Sequence, residues 1–271
     1  MSAERDAGLA RRRELGAFLR ARRERTGPGE VGLPGSDRRR TPGLRREELA
    51  VLAGVSTTWY AYLEQGRDVH PSDQVLAAIA NALRLDADER AHLRALAGAG
   101  GERATDSSSA GSAAEVVSAE IAAVPELLDP APAYITGVTT DVLAWNAAAA
   151  ELFPGLVRSA AGSPNLARWV FLDPEARRVL VDWEAVAQSV LARLRANAGR
   201  HPGDDRFARL AGQLRAGSAE AEAWWPRYDI ATNRAGSKQI RHPSRGVLTL
   251  THAAFTVADA PEQVLVVYAT P

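Results

Sequence analysis

The sequence predicts two domains of different class: an all-α N-terminal domain built around a helix-turn-helix, and an α+β C-terminal domain. Residues 45–66 carry the packing pattern of a helix-turn-helix. Residues 98–114 are rich in Gly, Ser and Ala and have no apolar period, which is typical of a flexible linker. After them come two short β-rich segments, a helical block and three longer β-rich segments. We therefore expect domains over 9–97 and 115–271, joined by the linker.

The segment RREELAVLAGVSTTWYAYLEQG places small and apolar residues where two crossing helices need them. Ala50 is small enough for a close crossing, and Gly54 suits the left-handed conformation that ends the first helix. Ser56 offers a side-chain oxygen that can cap the second helix. Tyr60 and Leu63 turn one face of that helix inward. An ordinary helical hairpin with a glycine turn is the alternative.

The opposite face of the second helix stays free, and such a face enters the major groove in helix-turn-helix proteins. Thr57, Thr58 and Tyr62 are the candidates for contacts with base edges, because they offer hydroxyls and apolar surface. The other candidate DNA contacts, most of them phosphate-binding arginines, are Arg38, Arg39, Arg40, Arg45, Arg46, Ser56 and Arg67. For the run of three arginines, a minor-groove contact and a solvated loop are the alternatives.

The net charge of zero hides an uneven distribution. Residues 5–67 contain 14 arginines and 8 acids, a balance of +6, whereas residues 102–271 contain 16 basic residues and 19 acids, a balance of −3. Positive charge around the helix-turn-helix is what a phosphate-binding surface requires. Lys238 is the only lysine, a bias toward arginine that we attribute to genomic base composition. The distribution favours double-stranded DNA as a partner.

Composition and motifs argue against several classes of protein. The chain has no cysteine, which excludes disulfides and zinc–thiolate sites. It has no apolar stretch long enough for a bilayer and no secretory signal, so we expect a cytoplasmic protein without membrane association. The five histidines show no metal-binding spacing, and phosphate-binding, dinucleotide-binding and serine-nucleophile motifs are missing. We therefore expect no cofactor, no metal, no catalytic residue and no enzyme activity.

The N-terminal helices can be placed from their apolar periods and caps. A first helix is predicted over 9–26, where Gly27-Pro28-Gly29 ends it. After the helix-turn-helix, two amphipathic helices are predicted over 72–83 and 86–97, with Ser72 and Asp86 as N-caps.

The C-terminal pattern is strand, strand, helices and three strands. The predicted strands are 133–136, 141–145, 238–242, 247–257 and 263–270. The predicted helices are 146–153, 165–171, one long helix from Asp173-Pro174 to about residue 197, and another ending at Gly217. A helical block inserted between two and three antiparallel strands is consistent with a PAS-like domain.

The C-terminal region is rich in large aromatic rings, including five of the six tryptophans. An ordinary core is the simpler interpretation of any single ring, but together they can enclose an apolar cavity. We expect the wall of a ligand pocket to include Trp145, Trp169, Phe171 and Trp183. Arg168 or His242 is the candidate for holding a polar head group, because a carboxylate in an apolar site needs a charge or donors. A plain structural ion pair is the alternative for Arg168.

The N-terminal pattern, over roughly residues 14–97, resembles the xenobiotic-response-element family of helix-turn-helix regulators. This resemblance implies the five-helix, lambda-repressor-like fold. It also implies a buried ion pair between Arg23 and Glu64, which would make both residues structural.

The C-terminal motifs resemble the ligand-binding domain of MmyB-type transcription regulators. They are LAWNAAAAELF (143–153), NLARWVFLDPEARRVLVDWE (165–184), WWPRYDI (224–230), KQIRHPSRGVLTL (238–250) and QVLVVYAT (263–270). Those regulators also carry a preceding RRRTPGLRREELA segment, found here at 38–50. The resemblance implies a PAS-like sensor domain, associated with a fatty-acid-like ligand in part of the family. Tyr228 departs from the family, which often has His at this position.

We therefore expect a bacterial transcription regulator that binds DNA as a homodimer and senses a small apolar ligand, with a fatty acid as the candidate. One alternative is a C-terminal domain that only dimerises or docks a partner, and another is a small-molecule enzyme. A dry apolar cavity would favour the sensor, and a perturbed His or carboxylate in a polar pocket would favour the enzyme. A filled core with an exposed apolar patch would favour docking.

Overall fold

The chain forms two compact units. The computed structural model describes residues 2–34, 43–98, 115–157, 163–201, 203–230 and 235–269. The first unit contains the helices up to residue 97 together with Ala198–Asp204 and Pro226–Ala231. The second contains the remaining C-terminal residues, including all but the last three residues of the helix Trp183–Arg200. Most of the predicted linker, residues 99–114, lies outside the described residues.

The first unit is helical, as predicted. Its helices are α1 (Ser2–Arg25), α2 (Arg46–Ala53), α3 (Thr57–Glu64), α4 (Asp73–Ala82) and α5 (Ala87–Ala97). The predicted caps are formed: Ser72 Oγ accepts a hydrogen bond from Val75 N at 3.4 Å, and Asp86 Oδ1 accepts one from Glu89 N at 2.9 Å. Helix α1 begins earlier than the predicted residue 9.

The core of this unit lies where α1 packs on α3 and α5, and where α2 packs on α4. Its buried apolar side chains include Leu15, Phe18, Leu19, Leu49, Tyr60, Leu63, Leu76, Ile79, Leu93 and Leu96. Helices α1 and α3 approach closely at Gly16, where a Cβ atom would overlap the backbone carbonyl of Glu64. The absence of a side chain at Gly16 therefore sets the spacing between α1 and α3.

The second unit combines helices with one antiparallel sheet. Its helices are α6 (Ala119–Ala122), α7 (Val124–Leu127), α8 (Ala147–Leu152), α9 (Leu166–Leu172), α10 (Pro174–Val179), α11 (Trp183–Arg200), α12 (Asp205–Gly217) and α13 (Ala219–Trp224). Its strands are β1 (Ala133–Thr136), β2 (Val142–Trp145), β3 (Gly236–His242), β4 (Gly246–Val257) and β5 (Ala260–Ala269).

The strand order in the sheet is β2-β1-β5-β4-β3, with every neighbouring pair antiparallel. The first strand of the unit therefore pairs with the last, in a register that places Ala133 opposite Val267. The helices from α8 to α13 fall between β2 and β3 in the chain. This arrangement confirms the predicted combination of an all-α helix-turn-helix domain and an α+β PAS-like domain.

The prediction of one long helix from residue 173 to about 197 is wrong. The chain leaves helical geometry between α10 and α11, where Leu180 forms an isolated β-bridge with Ile240. Val181 N also donates a hydrogen bond to Gln239 O at 3.1 Å. Pairing with strand β3 thus outweighs the local helical period at Leu180 and Val181.

Candidate functional site

The turn between α2 and α3 has the geometry that the sequence predicts. Gly54 ends α2 in the left-handed conformation, with φ 67° and ψ 32°. Val55 N then donates to Ala50 O at 2.9 Å, and Ser56 Oγ accepts from Trp59 N at 3.1 Å. These contacts stop one helix and start the next within three residues, so α3 has a fixed direction relative to α2.

Helix α3 separates an inward face from an outward one. Tyr60 and Leu63 are buried, whereas Thr58 and Tyr62 are exposed and Thr57 is half-buried. This division agrees with the face pattern read from the sequence. Contact of the outward side chains with base edges stays a prediction.

Two predicted DNA contacts touch each other at the end of α3. The guanidinium of Arg67 lies over the ring of Tyr62, with 4.3 Å from Cζ to the ring centroid. A cation–π contact of this kind restricts the motion of both side chains. It presents a charged group and an aromatic hydroxyl side by side on the surface of the helix-turn-helix.

Glu64, the last residue of α3, is the centre of a buried ion-pair cluster. Its carboxylate accepts hydrogen bonds from Arg23 Nε at 2.6 Å and from Arg46 Nε at 2.7 Å, and its side chain is 1% exposed. Burial alone would raise the pKa of Glu64, but the hydrogen bonds from the two arginines outweigh burial and lower the pKa. The pair of Arg23 and Glu64 that the family resemblance implies is therefore present.

The remaining predicted phosphate contacts lie around α2. Arg46 forms an ion pair with Glu64, and its side chain is 42% exposed. The ion pair restricts the position of a guanidinium that solvent can reach. Arg45 is exposed and precedes α2, where its backbone N–H donates to Glu48 Oε2 at 2.7 Å. Arg38, Arg39 and Arg40 lie outside the described residues.

The second unit contains a small aromatic-lined cavity between the sheet and the helices. The residues that line it are Tyr134, Phe153, Leu156, Leu166, Trp169, Leu180, Val186, Val190, Lys238 and Tyr268. The cavity volume is about 20 Å³, which holds about one water molecule. The lining residues with polar side-chain atoms are Lys238, Tyr134, Tyr268 and Trp169, and the lining includes no histidine and no carboxylate among the described residues.

The polar side of the cavity is a short hydrogen-bonded chain. Lys238 Nζ donates to Tyr268 Oη at 3.2 Å, and the hydroxyls of Tyr268 and Tyr134 are 3.5 Å apart. Burial raises the pKa of Tyr134, and it raises the pKa of Tyr268 to about 12. Burial also lowers the pKa of Lys238. These residues did not stand out in the sequence, although Lys238 is its only lysine.

The predicted wall residues lie in three places. Trp169 lines the cavity. Trp145 is half-buried on β2, opposite Tyr134, and is outside the cavity lining. Phe171 and Trp183 instead pack with Trp224, with ring centroids 6.0 to 6.3 Å apart, in a second aromatic cluster. That these rings contact a ligand stays a prediction.

The two predicted head-group residues are engaged elsewhere. Arg168 Nε donates to Gln213 Oε1 at 3.1 Å on the exposed side of α9. His242 is buried, with Nε2 3.1 Å from Glu151 Oε1 and Nδ1 accepting from Ser244 N at 3.2 Å. Neither residue lines the cavity.

In the part of the chain that the structure describes, no cluster of three or more His, Cys, Asp or Glu side chains is arranged to hold a metal ion. The described helices also include none with the length and apolarity needed to cross a bilayer.

Comparison with known protein families matches both parts of the chain. Residues 117–271 match the family described as MmyB-like transcription regulator ligand binding domain, and residues 14–93 match a family described as helix-turn-helix domain. No curated protein matches the chain. Because the first match spans more than half of the chain, this protein belongs to the MmyB-like transcription regulators, with a helix-turn-helix domain ahead of the ligand-binding domain.

Proposed function

We propose that this protein is a bacterial, cytoplasmic regulator that binds a specific double-stranded DNA site as a homodimer. The observation that carries the proposal is the outward face of α3, where Thr58 and Tyr62 are exposed opposite the buried Tyr60 and Leu63. The excess of arginine around this helix supplies the attraction to phosphate. A dimer is expected because one short helix contacts too few base pairs to be selective.

Selection from a random pool of duplex DNA tests this part of the proposal. The selected sequences should contain two related half-sites whose centres are separated by about 34 Å, one helical turn. Footprinting at two salt concentrations should show protection of both half-sites and a loss of affinity as salt rises. Recovery of no enriched sequence would contradict specific DNA binding, and a single protected half-site would contradict the dimer.

We propose further that the C-terminal domain senses a small apolar ligand, with a fatty acid as the candidate. The support is the aromatic and aliphatic lining of the cavity, within a domain of a ligand-binding family. A cavity of about 20 Å³ is far smaller than a long acyl chain. Binding therefore requires side chains such as Phe153, Leu156 and Trp169 to move apart.

Native mass spectrometry of the purified full chain, followed by a thermal-shift series with C12 to C18 fatty acids, tests the sensor proposal. A ligand at one hundred times its dissociation constant stabilises the folded form by about 2.7 kcal/mol. For a domain of the size of residues 115–271, that corresponds to roughly 5 to 11 °C in the Tm of its unfolding transition. If no chain length raises the Tm and no lipid is released, the fatty-acid proposal fails.

A dimerisation or docking module is the second candidate for the C-terminal domain. Val247 and Phe255 on β4 are 53% and 55% exposed, and the cavity is nearly filled. Phe255→Asp should then abolish self-association in analytical ultracentrifugation, whereas the sensor proposal alone predicts no change. Enzyme activity is the least supported candidate, because the cavity lining offers neither a histidine nor a carboxylate and the matched families are regulatory.

A further inference from the structure

Lys238 is an unexpected residue at the edge of an aromatic-lined cavity. It is the only lysine in the sequence, whereas arginine supplies the other 32 of the 33 basic residues. Its ammonium donates to the hydroxyl of Tyr268 and lies 5.6 Å from the centroid of the same ring. A compact ammonium with three donors has capacity for further acceptors beyond this one hydroxyl.

Among the described residues, none of the groups that interact electrostatically with the Lys238 ammonium is a carboxylate. The groups that act on it electrostatically are Tyr134 and Arg193, and Arg193 is a second cation, located on α11. The positive charge of Arg193 also interacts electrostatically with the hydroxyl of Tyr268 and favours a lower pKa there. Removing an ammonium from water without a counter-charge is unfavourable, so this end of the cavity favours an anion.

We propose that Lys238, together with the hydroxyls of Tyr268 and Tyr134, binds the anionic head group of the ligand, a carboxylate carried on an apolar chain. The inference rests on the proposed sensor function, and it specifies the orientation of the ligand in the cavity, with its head group at Lys238. A carboxylate has two acceptor oxygens, which match an ammonium and a neighbouring phenol as donors. The chain then extends from Lys238 toward Phe153 and Trp169, along the apolar wall of the cavity.

This placement differs from the one expected from the sequence. Arg168 and His242 are hydrogen-bonded to Gln213 and Glu151, outside the cavity lining. Lys238 and the two tyrosines come from three different strands, β3, β5 and β1, and converge because β5 pairs with both β1 and β4. A head-group site at this position is therefore a consequence of the sheet order.

The experiment compares dodecanoate with dodecan-1-ol, which has the same chain and an uncharged head group. The full chain is enriched with ¹³C-lysine, so that Lys238 supplies the only lysine Cε signal when the purification tag contains no lysine. The affinities of wild type, Lys238→Met and Arg241→Gln are measured for both probes. Arg241 is the matched control, because it is an exposed cation on the same strand outside the cavity lining.

Dodecanoate should shift the Lys238 Cε signal, and dodecan-1-ol should shift it much less. Lys238→Met should weaken dodecanoate binding about 10- to 100-fold, the range for a hydrogen bond to a charged group, and change dodecan-1-ol binding less than about threefold. Lys238→Arg should retain most of the affinity for the acid, and Arg241→Gln should match wild type.

The results that overturn the inference are distinct from those that overturn the proposed function. If wild type binds the acid and the alcohol equally, or if Lys238→Met binds the acid as tightly as wild type, the head-group site is wrong and the apolar sensor stands. If wild type binds neither probe and none of the C12 to C18 acids, the fatty-acid proposal fails and the head-group site fails with it. The Cε signal of Lys238 in the wild-type protein tests the inference even if Lys238→Met does not fold, because an unchanged signal on dodecanoate binding would contradict the head-group site.

Discussion

Arg46 and Glu64 form an ion pair in which Arg46 Nε lies 2.7 Å from Glu64 Oε2. The carboxylate is buried and also holds Arg23, whereas Arg46 is partly exposed. Arg46, which we propose contacts a phosphate, is thus positioned by Glu64. Glu64 is the last residue of α3, the helix that we propose contacts the bases. The cluster links the stability of the helix-turn-helix to the position of a charge on its surface.

The first prediction concerns the stability of this cluster. Glu64→Gln should lower the free energy of unfolding by about 3 to 5 kcal/mol, because it removes the buried carboxylate that pairs with both Arg23 and Arg46. Urea denaturation of the full chain measures the loss. Glu47→Gln is the control, since Glu47 is an exposed acid in the first turn of α2. Equal losses in the two variants would contradict the central role of Glu64.

The second prediction concerns pH. The pKa of Glu64 is lower in the folded protein than the ordinary value of 4.5, because the arginine hydrogen bonds outweigh burial. Its contribution to stability is therefore fully present above about pH 4.5 and is lost as the pH falls through the lowered pKa. The free energy of unfolding should decline in this acidic range, and the decline should be shallower in Glu64→Gln. Parallel pH profiles for wild type and variant would contradict the assignment.

The third prediction compares two glycines on α1. Gly16→Ala should destabilise the protein by about 1 to 3 kcal/mol, because the new methyl group would push α1 away from the backbone of Glu64. Gly8→Ala should stabilise it by about 0.5 to 1 kcal/mol, because the added Cβ meets only Arg12 Nη1 at 3.6 Å and alanine favours helix. Thermal or urea denaturation distinguishes the opposite signs. A neutral Gly16→Ala would show that the α1–α3 spacing tolerates a side chain.

The fourth prediction separates base reading from phosphate binding. Tyr62→Ala or Thr58→Ala should reduce the preference for the selected site over a scrambled one by about 1 to 3 kcal/mol. Arg46→Ala should instead weaken both DNAs by a similar factor and lower the slope of log affinity against log salt by about one. Arg45→Ala should resemble Arg46→Ala, without affecting the Glu64 cluster. Unchanged affinity and preference in Tyr62→Ala and Arg46→Ala would contradict the DNA-binding interface.

Local chemistry explains which parts of the fold were predictable. Gly54 and Ser56 determine a turn and a cap within their own neighbourhood, so the sequence pattern is sufficient to locate them. The break at Leu180 depends on Ile240, sixty residues away, and no helical period in the sequence reveals it. The same limitation applies to the close approach at Gly16, which depends on a backbone atom of another helix.

The candidate sites show the same contrast. The outward face of α3 follows from the helical period alone, and its expected exposure is confirmed at Thr58 and Tyr62. The polar end of the cavity requires Tyr134, Lys238 and Tyr268 to come together from three strands, which only the sheet order specifies. Aromatic content suggested a pocket but did not distinguish Trp169, in the cavity lining, from Trp183, in a separate ring cluster.

The central claim, a DNA-binding regulator that responds to a ligand, is tested most directly by the affinity of the full chain for its selected DNA with and without saturating dodecanoate. We expect a change of about 5- to 150-fold, and the same factor for the effect of DNA on dodecanoate affinity, because coupling between two binding sites is reciprocal. Equal DNA affinities with and without dodecanoate, under conditions where its binding is measured independently, would contradict the account.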